Sequence, residues 1–241
     1  ASGYYGLENL ALIPGTVGAA PIQNIGAYGC ELGSFVVAVH ARRINDGSYL
    51  KLSGAECEFG YRDSVFKQRL VDSVVITQVD LQLTRTPTVN TSYPALADAL
   101  KPAGCSDSPT PQQVFDAVVA LRRARLPDPA SEPNAGSFFK TPIVPHALAE
   151  ALKHQYADLP VFPAGAGECK LAAAWLIEKT GWKGHRAGAV GVHPGHALVL
   201  VNYGADAAPR LLALAKEIQA SVLQRFGVQL ELEPRVYGEV R

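Results

Sequence analysis

Between Ile13 and Gly29 the chain reads Ile-Pro-Gly-Thr-Val-Gly-Ala-Ala-Pro-Ile-Gln-Asn-Ile-Gly-Ala-Tyr-Gly, with four glycines, two prolines and almost no charge. Such a stretch cannot hold a regular helix, in which Gly costs roughly 1 kcal/mol and Pro roughly 3. It can bring bare backbone N–H groups up to a large ligand, because Gly15, Gly18, Gly26 and Gly29 carry no Cβ to block the approach. A loop packed tightly between elements is the alternative for the same composition, and the spacing is not the dinucleotide pattern G-x-G-x-x-G. Two further stretches carry side chains that could act on a substrate. Arg62 sits in Phe-Gly-Tyr-Arg-Asp-Ser, a loop-like context in which an arginine is ordinarily solvated or paired with a nearby acid such as Asp63. Ser137 lies between Gly136 and Phe138, where a serine is ordinarily a turn residue or a helix N-cap, and the G-x-S-x-G of a nucleophilic serine is missing. His193 and His196, in Val-His-Pro-Gly-His, are two ligands without a third, and Pro194 with Gly195 preclude a helical pair, so no metal site is expected.

The 241 residues suffice for one large domain or two small ones. Lys plus Arg and Asp plus Glu number 22 each, so no net field draws in nucleic acid or an acidic membrane. Cys30, Cys57, Cys105 and Cys169 lie far apart without C-x-x-C or zinc spacing, and read as small apolar residues of a reducing compartment. No apolar run reaches the length of a membrane span, and the first residues lack the charged and apolar regions of a secretory signal. A cytoplasmic protein without membrane insertion is expected.

The elements that must position these residues are partly readable. Val36–Ile44 alternates as a strand, Asn45-Asp46-Gly47 signals a hairpin, and Tyr49–Leu52 returns. Ser53 and Glu56 form a capping box for a short helical turn leading into the arginine motif. Val75, Val79, Leu81 and Leu83 alternate with polar residues as a strand buried on one face. Thr110-Pro111-Gln112-Gln113 starts a helix whose stripe is Val114, Ala117, Val118 and Leu121. Leu126-Pro127-Asp128-Pro129 then breaks the chain, placing a domain boundary between 1–126 and 127–241. Beyond it the spacing predicts helices near Pro145–Tyr156, Leu171–Thr180 and Ala208–Phe226, the last followed by Gly227, and strands at His196–Asn202 and Val228–Val236. The mixture predicts an α+β fold rather than a strict βαβ repeat.

Taken together and in order, the Ile13–Gly29 segment, Phe59-Gly60-Tyr61-Arg62-Asp63-Ser64 and Ala135-Gly136-Ser137-Phe138-Phe139-Lys140 closely resemble the UDP-N-acetylenolpyruvoylglucosamine reductases (MurB), flavoenzymes of peptidoglycan precursor synthesis. The resemblance runs from Gly6 to the C-terminus. It implies the remainder of a two-lobed FAD-binding domain followed by a smaller α+β substrate-binding domain, in a monomeric protein. In that family a preceding lobe supplies a Gly-rich turn for part of the FAD; this chain opens almost directly into the glycine-rich segment, so the resemblance implies a piece of the reductase lacking that lobe. The activity implied is FAD-dependent, NADPH-using reduction of UDP-N-acetylglucosamine enolpyruvate to UDP-N-acetylmuramate. The alternative is a non-catalytic UDP-sugar-binding fragment unable to retain FAD.

Carried over position by position, the resemblance assigns FAD contacts to Gly15, Thr16, Val17, Gly18, Ala19, Gln23, Asn24, Gly26, Ala27 and Gly29. Arg62 becomes the planar, permanently charged fork for the enolpyruvyl carboxylate, and Ser137 the general acid that protonates the enolate carbon. A carboxylic acid near the C-terminus completes the set. The gapless register Phe226-Gly227-Val228-Gln229-Leu230-Glu231-Leu232-Glu233 selects Glu233, while anchoring on Glu233-Pro234 would select Arg235; a solvated glutamate on the polar face of an alternating strand is the ordinary role of this position. Tyr61, Tyr93, Arg125, Lys140 and Lys183 are the implied substrate contacts, Arg125 standing where the family often has Lys and meeting the UDP phosphates. Thr141 replaces the motif's Asn and loses an amide's paired donor and acceptor.

Overall fold

The computed structural model describes residues 3–101, 108–204 and 208–238; Cys105 lies outside the described residues. The fold is mixed helix and sheet, arranged as two compact units, Ala1–Ala124 and Arg125–Arg241.

In the first unit the glycine-rich segment ends in a two-rung hairpin, β1 (Gly26–Ala27) against β2 (Cys30–Glu31). Its turn residues Tyr28 and Gly29 both have positive φ, 48° and 79°, the geometry that matches strand twist in a two-residue hairpin. A three-stranded antiparallel sheet follows, in the order β4 (Tyr49–Ser53), β3 (Val36–Arg43), β5 (Val74–Leu81). The hairpin expected at Asn45-Asp46-Gly47 joins β3 to β4, and the Ser53–Glu56 box is formed: the Ser53 N–H donates to Glu56 Oε2 at 2.9 Å and the Glu56 N–H to Ser53 Oγ at 3.3 Å.

The reading of β5 needs one correction. Val75 is 56% exposed, while Val74, Ile76, Val79 and Leu81 pack into the core. The cause is a β-bulge: Ala41 pairs with Ile76 and His40 with Gln78, so Thr77 is an extra residue that inverts the side-chain alternation. A matching shift at Val37 keeps Val36 and Val39 on the same buried face. The unit closes with α1 (Pro94–Leu100) and α2 (Pro111–Arg125), which bury Leu96, Leu100, Val114 and Val118 together. The Thr110 capping box is present, its N–H donating to Gln113 Oε1 at 2.8 Å. Helix α1 carries no sequence signal beyond Pro94 at its first turn.

The second unit holds a four-stranded antiparallel sheet in the order β10 (Arg186–Ala187), β11 (Val190–Val192), β12 (Val199–Asn202), β6 (Asn134–Ser137). A three-stranded sheet of β7 (Ile143–Pro145), β9 (Glu168–Leu171) and β8 (Val161–Gly165) accompanies it. Helices α3 (His146–Gln155), α4 (Ala173–Lys179) and α5 (Ala208–Phe226) complete it. α5 buries Leu214, Ala215, Ile218, Val222 and Phe226 and packs on β11 and β12; of the stripe Leu212, Ala215, Ile218, Val222 and Phe226 that the spacing predicts, Leu212 is only partly buried and Leu214 takes its place in the core. The strand expected over Val228–Val236 is not a continuous strand. Val228 and Leu230 are buried, but pairing is confined to a bridge of Leu232 with Phe139 and its two flanking backbone bonds, because Pro234 cannot extend the ladder.

Candidate active site

In the first unit two loops are stitched together. In the first loop Ala20 donates to the Thr16 carbonyl at 3.2 Å and Ala19 to the same carbonyl at 3.0 Å, a single helical turn. Ahead of that turn the N–H groups of Gly15, Thr16, Val17 and Gly18 find no acceptor among the described residues, and Val17 is 63% exposed. Successive unpaired amides at the start of a helical turn are donors that an anion can take up. Gln23, half-buried, likewise makes no side-chain hydrogen bond with a described residue.

Asn24 serves the protein itself. It is 2% exposed with φ of 43°, and its carboxamide is taken up internally. Nδ2 donates to Glu31 Oε2 at 3.1 Å and to the Gly60 carbonyl at 3.0 Å, while Oδ1 accepts from the Gly33 N–H at 2.7 Å. The second loop is held by two more bonds, Ser64 Oγ to the Ile22 carbonyl at 2.6 Å and Arg62 Nη2 to the Gly26 carbonyl at 2.6 Å. Tyr61 and Arg62 form the tip of this loop, whose base is closed by reciprocal backbone bonds between Gly60 and Asp63. Arg62 adopts φ of 53°, a conformation that non-glycine residues seldom keep without surrounding support, and its guanidinium lies 5.2 Å from the Tyr61 ring centroid. The geometry therefore brings Arg62 against the Gly26–Ala27 end of the glycine-rich segment.

Gly26 is the residue that allows the approach. A Cβ there would stand 2.7 Å from Arg62 Nη1, 2.9 Å from Glu31 Cγ and 3.0 Å from the Cys30 carbonyl. Gly26→Ala is expected to push the guanidinium off the Gly26 carbonyl and to destabilise the unit by about 1–3 kcal/mol, the usual cost of overpacking. Urea denaturation checks this; an unchanged midpoint would mean that the arginine is not packed against this strand. Tyr93 lies farther along the same unit, at the N-cap of α1, with its ring edge-on to Tyr28 at 5.4 Å.

In the second unit Ser137 ends β6 opposite Val199. The stretch from Asn134 to Ser137 faces only Val199–Val201 on β12, so β6 carries an extra residue. Gly136 absorbs it with φ of 70°, and its N–H donates to Asn134 Oδ1 at 2.8 Å. Bulges of this kind re-aim the next side chain, which explains a glycine directly before the serine. Phe138 and Phe139 after it are buried and anchor the strand end, and no described residue hydrogen-bonds the Ser137 hydroxyl. Glu233 reaches the same place from the C-terminal segment: its N–H donates to the Phe138 carbonyl at 3.0 Å. The register that selects Glu233 thus puts its backbone one residue from Ser137 along the pairing. Arg235 packs on the Tyr237 ring at 4.8 Å.

Lys140 pairs with Glu231 at 3.1 Å and Lys183 with Glu178 at 3.0 Å. Arg125, exposed at the end of α2, has no hydrogen bond or ion pair with a described residue. His193 and His196 each accept a backbone N–H at Nδ1, from Gly195 at 3.1 Å and Leu198 at 3.3 Å. Among the described residues no three metal-ligating side chains converge, and no helix is long and apolar enough to cross a membrane. What sequence reasoning missed is the support: Asn24 as internal tie, Ser64, and the Tyr28-Gly29 turn. Their partners lie dozens of residues away, where no local pattern points to them.

A sequence model for the C-terminal domain of UDP-N-acetylenolpyruvoylglucosamine reductase matches residues 128–237. The UDP-N-acetylenolpyruvoylglucosamine reductase of Chromobacterium violaceum is 49% identical over 237 residues, covering 98% of this chain and 69% of its own length. That of Paraburkholderia phymatum is 51% identical over 235 residues, covering 97% and 68%. The crystal structure of UDP-N-acetylenolpyruvylglucosamine reductase (MurB) from Thermus caldophilus shares the fold with a TM-score of 0.61 at 24% identity, over 98% of this chain and 66% of that one. The chain thus spans about two thirds of the length of these relatives. With identity near one half along almost its whole length, and with the arginine and serine motifs each held by dedicated backbone geometry, this chain belongs to the UDP-N-acetylenolpyruvoylglucosamine reductase family.

Proposed function

We propose that the chain carries the substrate-reducing chemistry of its family: reduction of the enolpyruvyl ether of UDP-N-acetylglucosamine enolpyruvate to the lactyl ether of UDP-N-acetylmuramate, for peptidoglycan synthesis. In this reading the first unit is the second lobe of a two-lobed FAD domain and the second unit binds the substrate. The observation that carries it is the Ser137 hydroxyl at the end of β6, which no described residue hydrogen-bonds, next to the residue whose carbonyl accepts the Glu233 N–H.

The cofactor fits the residues present. The unpaired amides of Gly15–Gly18 would hold its phosphates, and Gln23, Gly26, Ala27 and Gly29 would line its path along the first loop. Bound FAD, reduced by NADPH, supplies the hydride. The chain's own residues manage charge and protons. Arg62 holds the enolpyruvyl carboxylate in its fork, and the charge that develops on that carboxylate as the neighbouring carbon becomes an enolate is met by a guanidinium that stays ionised. Ser137 donates its hydroxyl proton to the enolate carbon; an enolate is basic enough to take it without prior activation of the serine. Glu233 stands at the same end of β6 and orients the reacting group. Arg125, Lys140, Lys183 and Tyr93 would bind the nucleotide, with Tyr61 beside the carboxylate.

Flavin retention tests the reading. Mixed with excess FAD and desalted, the chain is expected to keep a flavin absorption spectrum, and to reduce the enolpyruvyl substrate on addition of NADPH. A colourless, monodisperse protein that still binds UDP-sugar would instead support the fragment reading, in which the second unit binds substrate without catalysis.

A further inference from the structure

The three-stranded sheet of the first unit carries a hydrogen-bonded row of side chains to which the proposed reaction gives no role. Its inner face, with Val36, Val39, Leu52, Ile76 and Val79, packs into the core. On the outer face His40 of β3 stands opposite Lys51 of β4 and Gln78 of β5, while Tyr49 stands opposite Arg42 and Asp80 opposite Ala38. Directly paired residues project from the same side of a sheet, as do residues two apart on one strand, so Tyr49, His40 and Asp80 share that side. Each strand contributes one of the three, on a diagonal that long and aromatic side chains can span.

Hydrogen bonds join the row end to end. His40 Nε2 lies 2.7 Å from Asp80 Oδ2, and Nδ1 bonds the Tyr49 hydroxyl. An ionised carboxylate only accepts, so the proton of the neutral ring resides on Nε2 and points at Asp80; Nδ1 is then the acceptor and the phenol the donor. Gln78 Nε2 donates to the other oxygen, Asp80 Oδ1, at 2.6 Å. The bonds from His40 and Gln78 hold the Asp80 carboxyl below the usual carboxylate range. The His40 side chain in the middle is 12% exposed, whereas Tyr49 at the end is 55% exposed. A phenol open to solvent is thus bonded to a covered base, and that base is held in one tautomer by an acid. This is the arrangement by which a protein activates a nucleophile, and it is recognised by roles and geometry rather than by sequence position.

We propose that Tyr49 is a reactive phenol that takes an acyl group from activated carboxylic esters, with His40 as its general base and Asp80 as the positioning residue for His40. Tyr49 Oη forms a bond to the ester carbonyl carbon as its proton passes to His40 Nδ1. The bond from that carbon to the leaving oxygen then breaks, and the proton on His40 goes to the leaving group or to solvent. The products are an O-acyl tyrosine and the free alcohol or phenol, with no oxidant or further reactant consumed. Asp80 stabilises the imidazolium formed on the way, as the acid of a triad does. None of the three residues serves the proposed reduction, so this site stands or falls apart from that reading.

Tyr237 supplies an internal control. It is 70% exposed, and the Arg235 guanidinium lies 4.8 Å from its ring centroid as the Arg42 guanidinium lies 5.6 Å from that of Tyr49, but no described residue hydrogen-bonds its hydroxyl. The chain is treated with para-nitrophenyl acetate in mildly alkaline buffer, and the rate of acetylation at each tyrosine is followed by peptide mass spectrometry. Tyr49 is expected to be acetylated about 10²-fold or more faster than Tyr237, the lower end of what a positioned general base supplies. His40→Gln should bring Tyr49 down to the rate of Tyr237. Asp80→Asn should slow it by about tenfold or more with the sheet intact by circular dichroism, as loss of the group that orients the base does. Equal rates at Tyr49 and Tyr237 overturn the proposal, as does wild-type reactivity of Tyr49 in His40→Gln; an unchanged rate in Asp80→Asn overturns the part given to Asp80. The comparison of the two tyrosines is made within the wild-type chain, so it decides the matter whether or not either variant folds.

Discussion

Asn24→Ala is expected to destabilise the first unit by on the order of 4 kcal/mol and to release the arginine loop. The side chain is buried and uses both ends of its carboxamide, reaching Glu31, Gly60 and Gly33 from one point. Its removal leaves a Gly33 N–H and a Gly60 carbonyl without their partner, at about 1–3 kcal/mol for each group that stays buried. The backbone adds to the loss. At φ of 43° asparagine is tolerated, whereas alanine meets the left-handed penalty of roughly 1–2 kcal/mol. Since a domain is stable by only about 5–15 kcal/mol, this is a large share. Asn24→Gly separates the two contributions, because glycine accepts the backbone angle but restores none of the bonds. Chemical denaturation gives the totals, and hydrogen exchange at the Gly33 amide reads the local bond. A loss below about 1 kcal/mol would mean that Ser64 and Arg62 hold the two loops together without Asn24.

That dependence explains what a reader of the sequence can and cannot find. Where a signal is local it is legible. The Thr110 and Ser53 boxes each use residues three apart and survive in the structure as read, and the α5 stripe, repeating at helical spacing over 19 residues, does so except that Leu214 rather than Leu212 is buried. Where position depends on a partner strand the sequence is mute. Thr77 is an ordinary strand residue until pairing with β3 skips it, and that single skip turns Val75 outward although it has the same side chain as Val79. Strands β6 to β12 run two to five residues, too short for alternation to declare itself. The site divides in the same way. Its motifs stand out as motifs, but Asn24 looks like one more polar residue of a ligand loop, and only the fold reveals that its carboxamide is turned inward.

Ser137→Ala should separate the two halves of the catalytic cycle. The hydroxyl has no partner among the described residues, and Ser137 pairs with Val199 through its backbone, so alanine should fold with a stability change within about 0.5 kcal/mol. The glycine bulge that re-aims the side chain is likewise untouched. In the flavin-loaded protein, oxidation of NADPH requires no proton at the substrate carbon and should run at the wild-type rate. Reduction of the enolpyruvyl substrate requires one, and loss of a positioned general acid slows such a step by about 10²–10⁴-fold. Water can still deliver a proton, so activity should fall rather than vanish, and Arg62 should continue to bind the carboxylate with little change in substrate affinity. Stopped-flow absorbance at the flavin band follows each half separately. Equal loss in both halves would assign Ser137 to cofactor placement instead, and a loss of substrate binding alone would make it a contact rather than an acid. The asymmetric outcome is the one that a hydroxyl without a partner among the described residues calls for.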